Sequence, residues 1–308
     1  MDFIIFTVAM AALIYGADFV INESQRIALH FNISHYVIGA TLVAFGTSMP
    51  EMAASMMASY GGKSEMAIAN VVGSNIFNIA LILGVVFFIS KNMNPERDIF
   101  KKDSAWIAVP VVVFMLMIQD STISRADGVL FLLIMVSYII FLFTGPKDDF
   151  EDAIDEDLVK EKFNWSKTIL LLSVGFVLTI GGANFVVESG TNIARVFGVS
   201  EWIIGLFLIA LGTSLPELVV SLTAVKNGNA EMGIGNIIGS NVANFSMVLG
   251  AASIINPLTV NLITAQFDIY VMIGVSITLL FITANRLYNK TGAIFLLTIL
   301  ALFLLNSF

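Results

Sequence analysis

Glu51 and Glu217 each stand in the middle of a run apolar enough to cross a bilayer: GATLVAFGTSMPEMAAS (39–55) and GLFLIALGTSLPELVVS (205–221). A charged side chain at the bilayer centre costs roughly 2.5–3.5 kcal/mol on insertion scales, so a carboxylate there marks a functional site by default. On a continuous helix, Thr47, Glu51 and Ser55 recur at i, i+4, i+8 and share a face, as do Thr213, Glu217 and Ser221. Pro50 and Pro216 lack an N–H and clash with the carbonyl four residues back, which loosens the backbone at Gly46 and Gly212. Carbonyls freed at membrane depth persist only where they are re-satisfied or line a cavity.

A second polar stripe follows each glutamate: NVVGSNIFN (70–78) and NIIGSNVAN (236–244). Asn70, Ser74 and Asn78 again repeat every four residues, and Gly73 and Gly239 are expected to let a neighbouring helix come close. Carboxylates, carbonyls, hydroxyls and amides without a nearby histidine or cysteine form an all-oxygen set. Such a set suits hard cations such as Ca²⁺, which takes 6–8 oxygens, and also Na⁺; it disfavours zinc and copper. A lone Ser, Thr or Asn in a membrane helix is ordinarily interhelical glue, but two glutamates in matched contexts resist that reading.

The elements that must position these residues are membrane helices. Hydrophobic residues make up 57% of the 308-residue chain and charged residues 12%, with mean hydropathy +0.91; soluble domains are about 25% charged. There is no cysteine. Ten apolar segments approach the ~20 residues that a span needs: about 3–21, 35–59, 65–90, 104–119, 127–144, 166–188, 201–225, 231–255, 265–284 and 291–307. The first is read as a retained span, since no basic region precedes it. Trp106, Trp165 and Trp202 lie near span starts, as interfacial anchors would. With the N-terminus outside, the outer loops hold only Lys63, Arg125 and Arg195 of the 15 basic residues, so both termini are placed on the extracytoplasmic side.

The chain is duplicated. Aligning residue n with n+166 from Ile14 to Gly84 without a gap gives 31 identities in 71 pairs. Five spans per half is an odd number, so the halves enter the membrane in opposite senses. The expected fold is therefore an all-α integral membrane protein of ten transmembrane helices in two inverted five-helix repeats, 1–144 and 166–308. An acidic cytoplasmic linker, 145–165, joins them and carries eight of the 23 acids. Inverted repeats with broken helices are the architecture of secondary transporters.

Other polar residues are read as supporting. Asp18, Glu23 and Glu188 are taken as interfacial. Glu65 and Glu231 open helices, where negative charge complements the dipole. His30 and His35 are taken as structural. No phosphate loop, dinucleotide fingerprint or nucleophile elbow is present, and no nucleic-acid partner is expected.

The doubled G-T-S-x-P-E with the doubled G-S-N-x-x-N resembles the calcium/cation antiporter superfamily, and within it the prokaryotic sodium/calcium exchanger branch. The resemblance covers both repeats and nearly the whole chain in span count. It implies four ion sites between helices 2, 3, 7 and 8, exchange of about three Na⁺ for one Ca²⁺, and helices 1 and 6 sliding across a rigid core. By position, it makes Glu51 and Glu217 the shared carboxylates, with Thr47 and Thr213 carbonyls for Ca²⁺. The Ala44 and Ala210 carbonyls, with the Ser48, Ser74, Ser214 and Ser240 hydroxyls, complete the Na⁺ sites, and Asn78 and Asn244 fill the amide-or-acid position. Some exchangers of this branch carry aspartate where this chain has Asn244. Both repeats here have asparagine, so two ionised glutamates give −2, which one Ca²⁺ neutralises.

The expected activity is antiport of Na⁺ against Ca²⁺ in the cell (inner or plasma) membrane by a monomer, without an enzymatic reaction or a cofactor. The alternatives are Ca²⁺/H⁺ exchange through the same glutamates and, in a different class, a cation channel.

Overall fold

A computed structural model describes residues 1–90, 93, 95–144, 163–198 and 212–306. The chain is almost wholly helical: α1 (Asp2–Phe31), α2 (His35–Ile38), α3 (Ala44–Thr47), α4 (Met49–Tyr60), α5 (Ser64–Ile76), α6 (Gly84–Ile89), α7 (Ile99–Met117), α8 (Arg125–Thr144), α9 (Trp165–Val196), α10 (Leu215–Lys226), α11 (Ala230–Ala243), α12 (Gly250–Ile255), α13 (Leu262–Ala284) and α14 (Lys290–Asn306). Three wider π-helical stretches, Gly39–Val43, Phe77–Leu83 and Asn244–Leu249, join α2 to α3, α5 to α6 and α11 to α12. Two short strands, β1 (Thr122–Ile123) and β2 (Leu258–Thr259), pair antiparallel with Thr122 opposite Thr259.

Among the described residues, six helical stretches are long and apolar enough to cross a membrane, or seven if the pair broken at Ser48 is one span. In hydrocarbon every backbone polar group must be satisfied within its own segment, which is why these apolar runs become helices. Their polar ends are capped by side chains. Asn164 and Asp98 accept from the N–H three residues on, at 3.1 Å each, and open α9 and α7. Before α8, Ser124 and Asp127 bond reciprocally: the Ser124 N–H donates to Asp127 Oδ2 at 2.8 Å and the Asp127 N–H to Ser124 Oγ at 3.2 Å. α1 ends on Asn32 at φ 54°, a left-handed cap that asparagine tolerates.

The described residues group into two compact units, each drawn from both halves of the chain: Met1–Thr47 with Lys147–Asn236, and Ser48–Pro146 with Ile237–Phe308. In the first unit, α1 lies along α9. Gly16 and Gly182, partners in the repeat, sit at that crossing: a Cβ on Gly16 would fall 2.6 Å from the Thr179 nitrogen, and one on Gly182 2.7 Å from the Leu13 nitrogen. Ala17, Val20, Ile21, Ile38, Val43, Val220 and Met232 form this unit's core. In the second unit, α4 and α5 pack on each other and α4 also meets α12; α8 covers α12, and α14 lies against α6.

Burial separates inner from outer helices. The stretches 64–89 and 230–255 are 72% and 78% buried in their apolar windows, while α8 and α9 are each 28% buried. A helix that is apolar yet exposed on most of its surface faces lipid, and Val136 of α8 and Val177 of α9 are exposed apolar side chains of this kind.

Glu23 is 3% exposed and ion-paired with Arg26 at 3.5 Å. Trp106 packs its ring on Tyr138 and Phe141 at 5.1 and 5.4 Å. Trp202 and nearly all of the acidic linker lie outside the described residues. His30 stacks on Phe163 at 4.0 Å, and His35 is buried.

A feature that the sequence did not single out lies beside α7 in the second unit. Arg97 grips Asp103 with two bonds of 2.7 and 2.9 Å, both residues being buried. Next to it, the backbone N–H of Lys101 lowers the Asp98 carboxyl below its usual range, and burial pushes the Tyr288 phenol up.

Candidate functional site

The first motif copy is a broken helix. Ser48 lies between α3 and α4, and Pro50 falls in the first turn of α4, where its missing N–H has no helical partner to lose. Pro216 occupies the same place at the start of α10, after Ser214. The expected continuous face from Thr47 to Ser55 is therefore interrupted: Thr47 ends one helix, and Glu51 sits in the first turn of the next. Proline in a first turn restarts a helix instead of kinking it, and the positive end of the new helix dipole suits a carboxylate.

Both glutamates are deeply buried, at 1% exposure each. Thr47, Ser48, Ser55, Ser74, Asn78, Ala44, Ser214, Ser221, Ser240 and Asn244 are buried as well. Thr213 is partly buried, and Ala210 lies outside the described residues.

Each unit contains the same brace. In the second unit, Asn70 Nδ2 donates to the Ser55 hydroxyl at 2.8 Å and to the Glu51 carbonyl at 3.2 Å, tying α5 to the first turns of α4. In the first unit, Asn236 Nδ2 donates to the Ser221 hydroxyl at 2.9 Å, and Ser221 donates to the Gly233 carbonyl at 3.3 Å. There Thr47 also donates to Asn236 Oδ1 at 3.2 Å, so the first motif's threonine meets the second motif's asparagine. Two glycines make that approach feasible: a Cβ on Gly39 would overlap the Met232 carbonyl, and one on Gly235 the Tyr36 carbonyl. Of the two glycines expected to serve this purpose, Gly73 and Gly239, Gly73 has nothing within 4 Å of its Cβ position. A close approach is made four residues before the Gly-Ser-Asn triplet, at Gly235 of α11, because that is where α2 crosses.

Asn78 and Asn244 fall at the start of the π-helical stretches Phe77–Leu83 and Asn244–Leu249. Such wide turns re-aim side chains and concentrate at functional sites. Spacing alone does not reveal them, because a π turn shifts the register by one residue without a distinctive residue type.

Four oxygens of the predicted set, Asn78 Oδ1, Asn244 Oδ1, Ser214 Oγ and Ser240 Oγ, are buried without a hydrogen-bond partner. An unsatisfied buried acceptor costs about 1–3 kcal/mol, a cost that a cation removes when it coordinates the oxygen. No group of three or more His, Cys, Asp or Glu side chains able to hold a metal occurs among the described residues. Sequence reasoning named Asn78, Asn244, Ser214 and Ser240 but left Asn75 and Asn241, inside the Gly-Ser-Asn triplets, without a role.

The profile of the sodium/calcium exchanger protein family matches residues 1–144 and 167–308. The chain is 32% identical to the sodium/calcium exchanger MaX1 of Methanosarcina acetivorans, over 91% of this chain and 90% of that one. It is 34% identical to an uncharacterized membrane protein of Methanocaldococcus jannaschii, over 94% and 93%. A solved structure of the sodium-calcium exchanger NCX_Mj, soaked with zero Na⁺ and Ca²⁺, superposes with a TM-score of 0.81 at 31% identity, covering 97% of this chain and 96% of that one.

Proposed function

The chain belongs to the sodium/calcium exchanger family of the calcium/cation antiporter superfamily, and from that premise we propose that this multi-pass membrane protein exchanges Na⁺ for Ca²⁺ by alternating access. The observation that carries the reading is the pair Glu51 and Glu217, each 1% exposed in an otherwise apolar stretch and each opening a helix after a Gly-Thr-Ser-x-Pro break.

Glu51 and Glu217 supply the charge. Thr47 and Thr213 offer carbonyls to Ca²⁺. Ala44, Ala210, Ser48, Ser74, Ser214 and Ser240 complete the Na⁺ set, and Asn78 and Asn244 add amide oxygens. Since the carboxylates serve both ions, Na⁺ and Ca²⁺ compete and exchange follows from occupancy. With asparagine at both amide positions the charge of −2 is balanced by one Ca²⁺; this supports divalent binding and disfavours an added K⁺. Ten spans in two inverted repeats, 1–144 and 166–308, with both termini extracytoplasmic, accommodate the scheme. The apolar, lipid-facing α1 and α9 are the elements that slide.

The test is ⁴⁵Ca²⁺ uptake into Na⁺-loaded proteoliposomes diluted into Na⁺-free buffer, with the pH gradient collapsed. Uptake that requires internal Na⁺ is the expected result. Uptake driven only by a proton gradient assigns Ca²⁺/H⁺ exchange instead, and uncoupled flux without dependence on the opposite ion assigns a channel.

A further inference from the structure

Asn75 and Asn241 are partners in the repeat, and both belong to the second unit together with Asn78. Their environments differ. Asn241 Oδ1 accepts from Asn78 Nδ2 at 3.1 Å, across from α11 to the π-helical start after α5. Asn75 instead donates back to the Val71 carbonyl of its own helix at 2.7 Å. This leaves three buried amide atoms without partners: Asn78 Oδ1, Asn75 Oδ1 and Asn241 Nδ2. The last two are an acceptor and a donor, and both residues line one cavity of about 10 Å³, walled by Trp106, Pro110, Phe245 and Ser276. That volume is about the smallest that holds a single water molecule.

An asparagine amide has two nearly isosteric ends, and only the oxygen end can coordinate a cation. Nothing in the shape of Asn78 decides which end faces inward; a fixed acceptor for its N–H does. We propose that Asn241 is a positioning residue for cation binding: by accepting from Asn78 Nδ2 it holds Asn78 Oδ1 towards the cation. Asn241 is itself oriented by one water that takes its N–H and donates to Asn75 Oδ1. This rests on the reading of Asn78 as a cation ligand.

The full-length protein in Na⁺-loaded proteoliposomes provides the test, with KM for external Ca²⁺ and kcat measured separately. Asn241→Ala removes one hydrogen bond to the ligand, and the expected rise in KM is about tenfold with kcat little changed. Asn241→Asp still accepts from Asn78 and stays within about threefold of the parent. In an Asn78→Asp background either carboxylate oxygen suits the ion, so adding Asn241→Ala there raises KM by only about twofold. Equal rises in both backgrounds, or equal rises for Asn241→Ala and Asn241→Asp, overturn the assignment. Should Asn241→Ala not elute as a single folded species, Asn241→Asp decides alone, and a tenfold rise there overturns it. Absence of Na⁺-driven uptake by the parent protein, in contrast, overturns the exchanger reading on which this rests.

Discussion

The two braces are copies in sequence but not in environment. Around Asn236 the polar atoms are sealed: the residue is fully buried, its Nδ2 is taken by Ser221, and its Oδ1 by Thr47. Around Asn70 the same amide is half-buried, and its N–H group is divided between Ser55 and the Glu51 carbonyl. Duplication has preserved the hydrogen-bonding residue types while the neighbours set how deeply each brace is buried. Equal chemistry should therefore go with unequal packing energy.

The largest effect tests the equality. Glu51→Gln and Glu217→Gln should each abolish Na⁺-dependent ⁴⁵Ca²⁺ flux while the protein still elutes as a monodisperse species. Full flux in either one would show that the copies do not share the chemistry.

A second experiment concerns the crossing of α2 and α11 in the first unit. Gly39→Ala or Gly235→Ala forces two backbones apart, with an expected destabilisation of about 1–3 kcal/mol. Gly73→Ala, where nothing lies near, should leave the thermal midpoint unchanged or raise it slightly, since alanine favours a helix by roughly 0.5–1 kcal/mol. Similar midpoints for all three would refute the close approach.

The smallest effect addresses the inequality. Ser221→Ala strands the N–H of a fully buried amide and should cost about 1–3 kcal/mol, whereas Ser55→Ala should cost under about 1 kcal/mol because Asn70 is only half-buried and keeps its bond to the Glu51 carbonyl. Equal losses in denaturant or thermal unfolding would erase the distinction between the braces.

Much of this was legible in the linear sequence. A carboxylate in a 17-residue apolar run is conspicuous because of its desolvation cost, and an aligned second copy removes coincidence. Span positions followed from hydropathy for the same reason: hydrocarbon leaves the backbone few options. Less legible was the effect of proline. Pro50 and Pro216 read as kinks in a continuous helix, yet each sits in the first turn of a fresh one. The difference depends on whether the preceding serine keeps helical geometry, which local sequence does not specify. The burial of Glu23 was not legible either, because it depends on packing across the first unit.

The sequence by itself determined the class of molecule, the duplication, and the oxygen-rich residues at Glu51, Glu217, Asn78 and Asn244. These are properties of composition and spacing, fixed by what water and lipid tolerate. Only the tertiary structure decided which glycines permit backbone contact, where the helices widen into π turns, and which end of Asn78 is held. Those depend on atoms brought together from positions more than 150 residues apart, such as Thr47 with Asn236 and Asn78 with Asn241. A hydrogen bond or a steric overlap exists only once both partners are in place.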